Sequence, residues 1–506
     1  MNDPSPPDRD ALLAAGKDNM NAGRLAEAEQ DFRRLLEDAP GDPDALHLLG
    51  LIRFAQGAHE EAAEYVEKAI SAEPENEDYL FNLGQIRQMT GNFADAADSF
   101  RQALKIKPDY ADAHFHLGNA LRGEGRLEEA SASYLDALAI KPDHAQAQYN
   151  LGLSLYETGR PEDAVRHYAE AAALEPGFAQ AHYNRANTLS ELGRLEEAEA
   201  DYGKFLALEP DYAEAHVALG NVLREQDRLE DAQASYRKAL ALEPGFAEAH
   251  LNLGVALEKQ DRLEDAEAGY REALFLKPGL AEGHLNLGNA LKKQGLMESA
   301  AASYREALAV KPDFALAHSN LLVAMPFMSS FSGADVLAQA RLAGTAFEAP
   351  FADRLARRHD NDPDPERQLR VGYLAPAMGG SVLAFNLEPA LKGHRPEHVS
   401  VHVYAHMPNP DAVTWRLKDH SDEWTFVHEL TDGQVADRIA ADGIDILVDP
   451  MGHWANNRLP VFARKPAPVQ VSYLCQGLTS GLSAMDYAIG DHWLNRDGAM
   501  QAFATE

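Results

Sequence analysis

The chain has 506 residues, 45% apolar and 25% charged, which suits a folded protein of two or three domains. Its formal net charge of −34 argues against a nucleic-acid partner, which needs clustered Lys and Arg. No run reaches the ~18 apolar residues of a membrane span, and the single cysteine, Cys475, excludes an internal disulfide and a cysteine zinc site.

Residues 1–8 are polar and acidic and lead into no apolar signal core, so they are expected to be disordered and the chain cytoplasmic. From residue 9 a repeat governs the sequence. Proline recurs at Pro40, Pro74, Pro108, Pro142, Pro176, Pro210, Pro244, Pro278 and Pro312, always 34 residues apart. In the unit 111–144, Leu117, Gly118 and Leu121 mark a first helix, and Ala130, Tyr134, Ala137 and Leu138 mark a second. Gly125 suits the turn between them, where a positive φ is cheap for glycine. Asp227 and Asp261 replace it in two units, a tolerable exchange because Asp visits the left-handed region. Gly118, Ala130 and Ala137 are small where the two helices should cross. Pro142 closes the unit, because proline cannot continue a helix. The pattern resembles the tetratricopeptide (TPR) consensus over residues 9–312, which implies an all-α superhelix of nine repeats holding partners along the surface lined by its first helices.

Two rows of asparagine lie on those helices: Asn82, Asn150, Asn184, Asn252, Asn286 and Asn320, and, one turn on, Asn119, Asn187, Asn221 and Asn289. Their spacing of three places both rows on one face. An amide offers donors and an acceptor, so a ladder of them matches the backbone of an extended peptide. The alternative is that they bond only between repeats. Histidine recurs too, at His114, His182, His216, His250, His284 and His318. Equivalent positions lie about 10 Å apart or more, too far for the ~2 Å bonds of one metal ion, so packing or surface roles are expected. The acid recurring at helix starts, as in Arg126-Leu127-Glu128-Glu129, reads as a solvated face, with a preference for basic clients as the weaker alternative.

Residues 315–325 read as a tenth first helix that caps the stack, and the rest of 313–368 as a helical connector ending in an acidic, proline-containing boundary. Beyond it, strands are predicted at 369–374, 399–404, 444–448, 469–474 and 487–489, with a helix at 434–442. Alternating strands and helices predict a doubly wound parallel sheet, one Rossmann-like α/β lobe over 369–506. Gly379-Gly380 follows the first strand, but there is no G-x-G-x-x-G, so a dinucleotide is not expected. Cys475 reads as a buried small residue rather than a nucleophile.

Within the lobe, Leu369-Arg370-Val371-Gly372-Tyr373, Leu387-Glu388-Pro389, Ile444-Asp445-Ile446-Leu447-Val448-Asp449, Gly452-His453, the run from Asn457-Arg458-Leu459-Pro460 to Val469-Gln470, Thr479-Ser480-Gly481 and Met485-Asp486-Tyr487 follow in order. These stretches resemble the N-terminal catalytic lobe of protein O-GlcNAc transferases (glycosyltransferase family 41, with the SPINDLY-like proteins). The resemblance implies half of a GT-B fold, and transfer of N-acetylglucosamine from UDP-GlcNAc to Ser or Thr of proteins fed in by the TPR groove. The asparagine rows fit it as well, since the family carries such a ladder.

The chain departs from the family in three ways. Where bacterial relatives read S-P-D-F-x-x-H, Ala377 occupies the Asp position and Ser381 the active-site His position, and serine offers no imidazole for proton transfer. The family's W-L-G-Y-P-G-T-S-G is here Tyr473-Leu474-Cys475-Gln476-Gly477-Leu478-Thr479-Ser480-Gly481. The sequence ends at Glu506, before the second lobe that supplies most of the donor site. Of the family's polar groups His453, Arg458, Thr479 and Ser480 remain, and they are expected to serve stability. The expectation is a protein- or peptide-binding scaffold with a degenerate transferase domain, needing no metal or cofactor, and with UDP-GlcNAc as donor only if the site functions. The alternative is an active protein O-glycosyltransferase, complete only with a C-terminal lobe or a partner chain that supplies it.

Overall fold

The computed structural model describes residues 9–355, 359–364, 366–375, 382–453, 457–473 and 479–489. Paired helices of 13 and 14 residues recur through the repeats, from Arg9–Asn21 with Leu25–Asp38 to Ala281–Lys293 with Met297–Val310. Repeat five is Ala145–Glu157 with Pro161–Leu174, and repeat six is Ala179–Glu191 with Leu195–Leu208. Packing divides the chain into two units, one up to Leu242 and one from Glu243.

The repeat chemistry explains the pairing. A Cβ at Gly118 would stand 2.5 Å from the Tyr134 ring, and Gly84, Gly152, Gly220, Gly254 and Gly288 meet an aromatic ring in the same way. Glycine there lets a second-helix aromatic lie flat on the first helix, and Tyr134, Tyr168, Tyr236, Tyr270 and Tyr304 are fully buried as a result. Gly125 turns the chain at φ 75°, and Asp227 and Asp261 do the same at φ 61° and 60°. The histidines brace the hairpins. Nε2 of His114, His216, His250, His284 and His318 lies 2.8–3.0 Å from the carbonyl oxygen of the proline six residues earlier. His182 instead turns Nδ1 to the buried Asp201 carboxylate, 3.2 Å away.

In the second unit, helix Ala315–Ala324 follows the ninth repeat, and a capping box of Ser332 and Asp335 starts helix Gly333–Glu348. Ala317, His318, Ser319, Leu321, Leu322 and Ala324 of the first of these helices are all buried.

Six parallel strands follow: β1 (Leu369–Ala375), β2 (Val399–Ala405), β3 (Glu423–Phe426), β4 (Ile446–Asp449), β5 (Val469–Tyr473) and β6 (Tyr487–Ile489). Their order is β3-β2-β1-β4-β5-β6. Val371 of β1 pairs with Val401 of β2 on one side and with Ile446 of β4 on the other. Val371, Tyr373, Val401, Val403, Val448 and Val471 share a core with Leu387, Leu391 and Leu417 of helices Val382–Gly393 and Ala412–Lys418. Leu374, Tyr404 and Leu447 join a larger core containing Val435 and Ile439 of helix Asp432–Ala441. That core runs on without a break through Phe347 and Leu321 to Tyr304 and Tyr270 of the last repeats. The lobe, the connector and the last repeats therefore stabilise one another by burial of common apolar surface.

The strand predicted at 444–448 begins at Ile446 instead. Asp445, just before it, still bonds β1 and β5 through its backbone, its N–H donating to the Arg370 carbonyl at 2.9 Å and its carbonyl accepting the Val469 N–H at 3.2 Å. Its carboxylate also ties the start of β1: it accepts the Arg370 N–H at 2.8 Å and pairs with the Arg367 guanidinium at 2.5 Å. The helix predicted at 434–442 is Asp432–Ala441, started two residues earlier by the Thr431–Gln434 capping box.

Candidate functional site

Strand order reverses between β1 and β4, and in open α/β sheets ligands sit outside the carboxyl ends of the strands at such a switch point. β4 ends there in Asp449, followed by Met451, Gly452 and His453. Asp449 is buried; its carboxylate accepts the N–H groups of Met451 and Gly452 at 2.9 and 3.1 Å, closing the turn after the strand. Burial pushes this carboxyl up to about 6, since the charged form loses its water.

His453 is likewise buried. Its Nδ1 lies 3.1 Å from the Ser319 hydroxyl of helix Ala315–Ala324, and its Nε2 lies 3.1 Å from the Ser480 carbonyl oxygen. A carbonyl can only accept, so Nε2 carries the proton and Nδ1 accepts from the serine. Burial brings the imidazole down to about 4, so it is neutral near pH 7. Asn457 donates to the same Ser319 hydroxyl at 3.3 Å.

Arg458 points elsewhere. Nε pairs with the Asp432 carboxylate at 3.0 Å, and Nη2 donates to the Leu430 carbonyl at 2.7 Å. Thr479 and Ser480 order their own loop: the Thr479 hydroxyl accepts the Gly481 N–H at 3.2 Å, and that of Ser480 accepts the Leu482 N–H at 3.3 Å. Of the four candidates, the structure brings His453 and Ser480 together and leaves Arg458 by helix Asp432–Ala441. Ala377, Ser381 and Cys475 lie outside the described residues.

Two partners of this cluster were not anticipated. Ser319 holds the histidine. Glu348, also buried, accepts the Ser483 hydroxyl at 2.8 Å and the Ala484 N–H at 2.7 Å. Both lie in helices read as cap and connector, and nothing in their spacing marks them. Gly344 and Gly481 also touch so closely that a Cβ on either would overlap the other segment's backbone.

All ten ladder asparagines are half-buried. The second row is held by tyrosine: Tyr134, Tyr202, Tyr236 and Tyr304 hydroxyls donate to Oδ1 of Asn119, Asn187, Asn221 and Asn289 at 2.5–3.0 Å. The first row bridges repeats, as Asn150 donates to Asn119 at 2.7 Å and Asn320 to Asn289 at 3.0 Å. Asn184 donates to the Tyr149 hydroxyl, and Asn82 meets His47, both within 2.8 Å. Bonding between repeats is therefore present, and each bond uses one end of an amide.

Comparison with known proteins agrees with this architecture. The family model of glycosyl transferase family 41 matches residues 352–502. Tetratricopeptide-repeat models match 13–78, 149–213, 183–232, 217–281 and 281–314, and a further TPR model matches 89–123 and 118–159. The probable UDP-N-acetylglucosamine–peptide N-acetylglucosaminyltransferase SPINDLY of Arabidopsis thaliana is 35% identical over 136 residues, covering 26% of this chain and 15% of that protein. The probable enzyme of the same activity named SEC, also from Arabidopsis thaliana, is 31% identical over 131 residues, covering 26% and 13%. Among solved structures, a variant of the Thermobaculum terrenum O-GlcNAc transferase is 33% identical over 55% of this chain and 53% of that one, with a TM-score of 0.48. The fold and these matches define a TPR protein carrying a parallel α/β lobe of glycosyl transferase family 41. More particularly, it is similar to TPR-containing, O-GlcNAc transferase-like proteins. The chain spans about 15% of the length of the SPINDLY relative it matches.

Proposed function

We propose that this chain acts as a protein- or peptide-binding scaffold of the O-GlcNAc transferase-like family, and that its lobe does not transfer sugar on its own. One observation carries the second half of this reading: the polar groups at the switch point are turned inward. Both nitrogens of His453 are spent on Ser319 and Ser480, and the Arg458 guanidinium on Asp432 and Leu430. A nucleotide sugar needs free donors or cations against its phosphates. Ser381 at the family's histidine position supports the same reading. The binding half rests on the asparagine rows, ten half-buried amides recurring at repeat spacing whose groups match those of an extended backbone. Partners are then proteins or extended peptides, with ladder contacts at Asn82, Asn119, Asn150, Asn184, Asn187, Asn221, Asn252, Asn286, Asn289 and Asn320.

A second reading, an active protein O-glycosyltransferase whose donor site another lobe or chain completes, is favoured by the placement of Asp449 and His453 at the switch point. Calorimetric titration of UDP and UDP-GlcNAc into the folded chain separates the two. The scaffold reading expects no saturable heat at millimolar ligand. Micromolar binding, about −8 kcal/mol, would overturn it and make transfer assays the next step.

A further inference from the structure

Between repeats five and six, on the face built by their first helices, lies a cleft of about 460 Å³. Its lining joins the ladder's own tyrosines and asparagines to an exposed ring and two acids. The buried rings of Tyr168 and Tyr202 form part of it, together with the half-buried Asn184 and Asn187. Tyr156 stands exposed at the rim, and Glu157 and Glu191 carry carboxylates at the same position of consecutive repeats.

The two carboxylates are not equivalent. Glu157 is neutralised by Arg122, whose Nη2 lies 2.6 Å away. Glu191 accepts the Tyr156 hydroxyl at 2.7 Å on both oxygens, and among the described residues no Lys or Arg lies within 4.0 Å of it. The next repeat places a further exposed acid, Glu225, at the same position. An aromatic ring beside an uncompensated carboxylate suits one kind of side chain: a cation whose alkyl stem covers the ring and whose head pairs with the acid. Arginine fits best, because its planar fork stacks on aromatic faces and matches a carboxylate bidentately.

We infer that this cleft is a specificity pocket for a basic side chain, arginine above all, of a peptide lying along the asparagine rows. The inference rests on the groove reading above and adds what that reading lacks, a preference among side chains. Amide contacts to a backbone are indifferent to sequence. A single charged pocket between two rungs sets the register of the chain.

The test uses fluorescence anisotropy with short labelled Ser/Gly peptides carrying one central Arg, Gln or Glu. The Arg peptide is expected to bind about tenfold tighter than the Gln peptide, equivalent to ~1.4 kcal/mol, and the Glu peptide more weakly than either. Glu191→Gln keeps the acceptor for Tyr156 and removes the charge; it should bring the Arg peptide to the level of the Gln peptide and leave the latter unchanged. Glu60→Gln, an exposed acid of repeat two, makes the same change in net charge and should alter neither. Equal binding of Arg and Gln peptides, an advantage that survives Glu191→Gln, or one lost equally in Glu60→Gln overturns the pocket. Asn221→Asp, which keeps the acceptor for Tyr236 but removes the amide donors, tests the groove itself through the Gln peptide. If that variant binds less and no Arg preference exists, the groove stands and the pocket falls. If no peptide binds at all, both fall.

Discussion

At Gly118 a single methyl group decides whether the two helices of a repeat can touch. The Tyr134 ring lies 2.5 Å from where a Cβ would stand, and it is fully buried, so it has nowhere to swing. Gly118→Ala is expected to cost about 1–3 kcal/mol through overpacking, read as a lower urea midpoint at unchanged slope. Gly125→Ala is a different experiment, since nothing lies near its Cβ and only φ 75° resists; about 1–2 kcal/mol is expected there. No loss at Gly118 would mean that the tyrosine yields. His453 and Asp449 make a pair of opposite sign. The folded histidine sits at about 4, below its ordinary 6.5, so the unfolded chain takes up that proton first. Its contribution is complete above pH 6.5 and is lost as pH falls toward 4. The folded aspartate sits at about 6, above its ordinary 3.8, so its contribution is complete below pH 3.8 and is lost as pH rises through 6. Between pH 6 and 4 the two slopes oppose each other. Asp449→Asn should therefore lose stability on acidification more steeply than the parent, and His453→Gln less steeply. Urea midpoints across that range check both, and an unchanged slope in Asp449→Asn would contradict the direction assigned to the carboxyl.

Among the elements, the loop after β5 depends on a helix far back in the sequence. Glu348 ends helix Gly333–Glu348 and accepts the buried Ala484 N–H. Glu348→Ala leaves that donor unpaired, which costs about 1–3 kcal/mol. Hydrogen exchange should speed up at the Leu482 and Ala484 amides and stay slow in β1. Uniform acceleration would show that the contact stabilises the whole unit rather than one loop. How far such elements can be read from sequence follows from what they bury. The repeats are legible because glycine, aromatic and proline recur at fixed spacing. β1, β2, β4 and β5 are legible because a parallel strand covered on both faces reads as an apolar run. β3 is a four-residue edge strand, nowhere fully buried, and Glu423-Trp424-Thr425-Phe426 carries no such run. The site was legible only in part. His453 and Ser480 stand in recognisable stretches, whereas Ser319 and Glu348 act through tertiary contacts more than 130 residues away in sequence, which no local pattern encodes.

For the whole molecule, the acid excess sets two effects of salt against each other. The 80 acidic and 46 basic side chains repel on balance, and compaction brings like charges together. Against this stand Arg–acid pairs repeated at the second-helix starts: Arg126–Glu129, Arg160–Asp163, Arg194–Glu197 and Arg228–Asp231. These pairs are largely exposed, and such pairs contribute about 0–1 kcal/mol each, often nothing measurable. Repulsion summed over an excess of 34 charges outweighs them. Raising salt from about 0.05 to 0.5 M shortens the screening length from roughly 14 to 4 Å, which weakens both effects but removes more of the long-range repulsion. The thermal midpoint should rise by about 2–4 °C, the shift that ~1 kcal/mol gives in a unit of this size. Sodium chloride and potassium chloride should act alike, since screening depends on ionic strength. A midpoint that falls with salt would mean that the repeated pairs outweigh the repulsion, and Arg126→Gln and Arg194→Gln would then lower it further at low salt than at high salt.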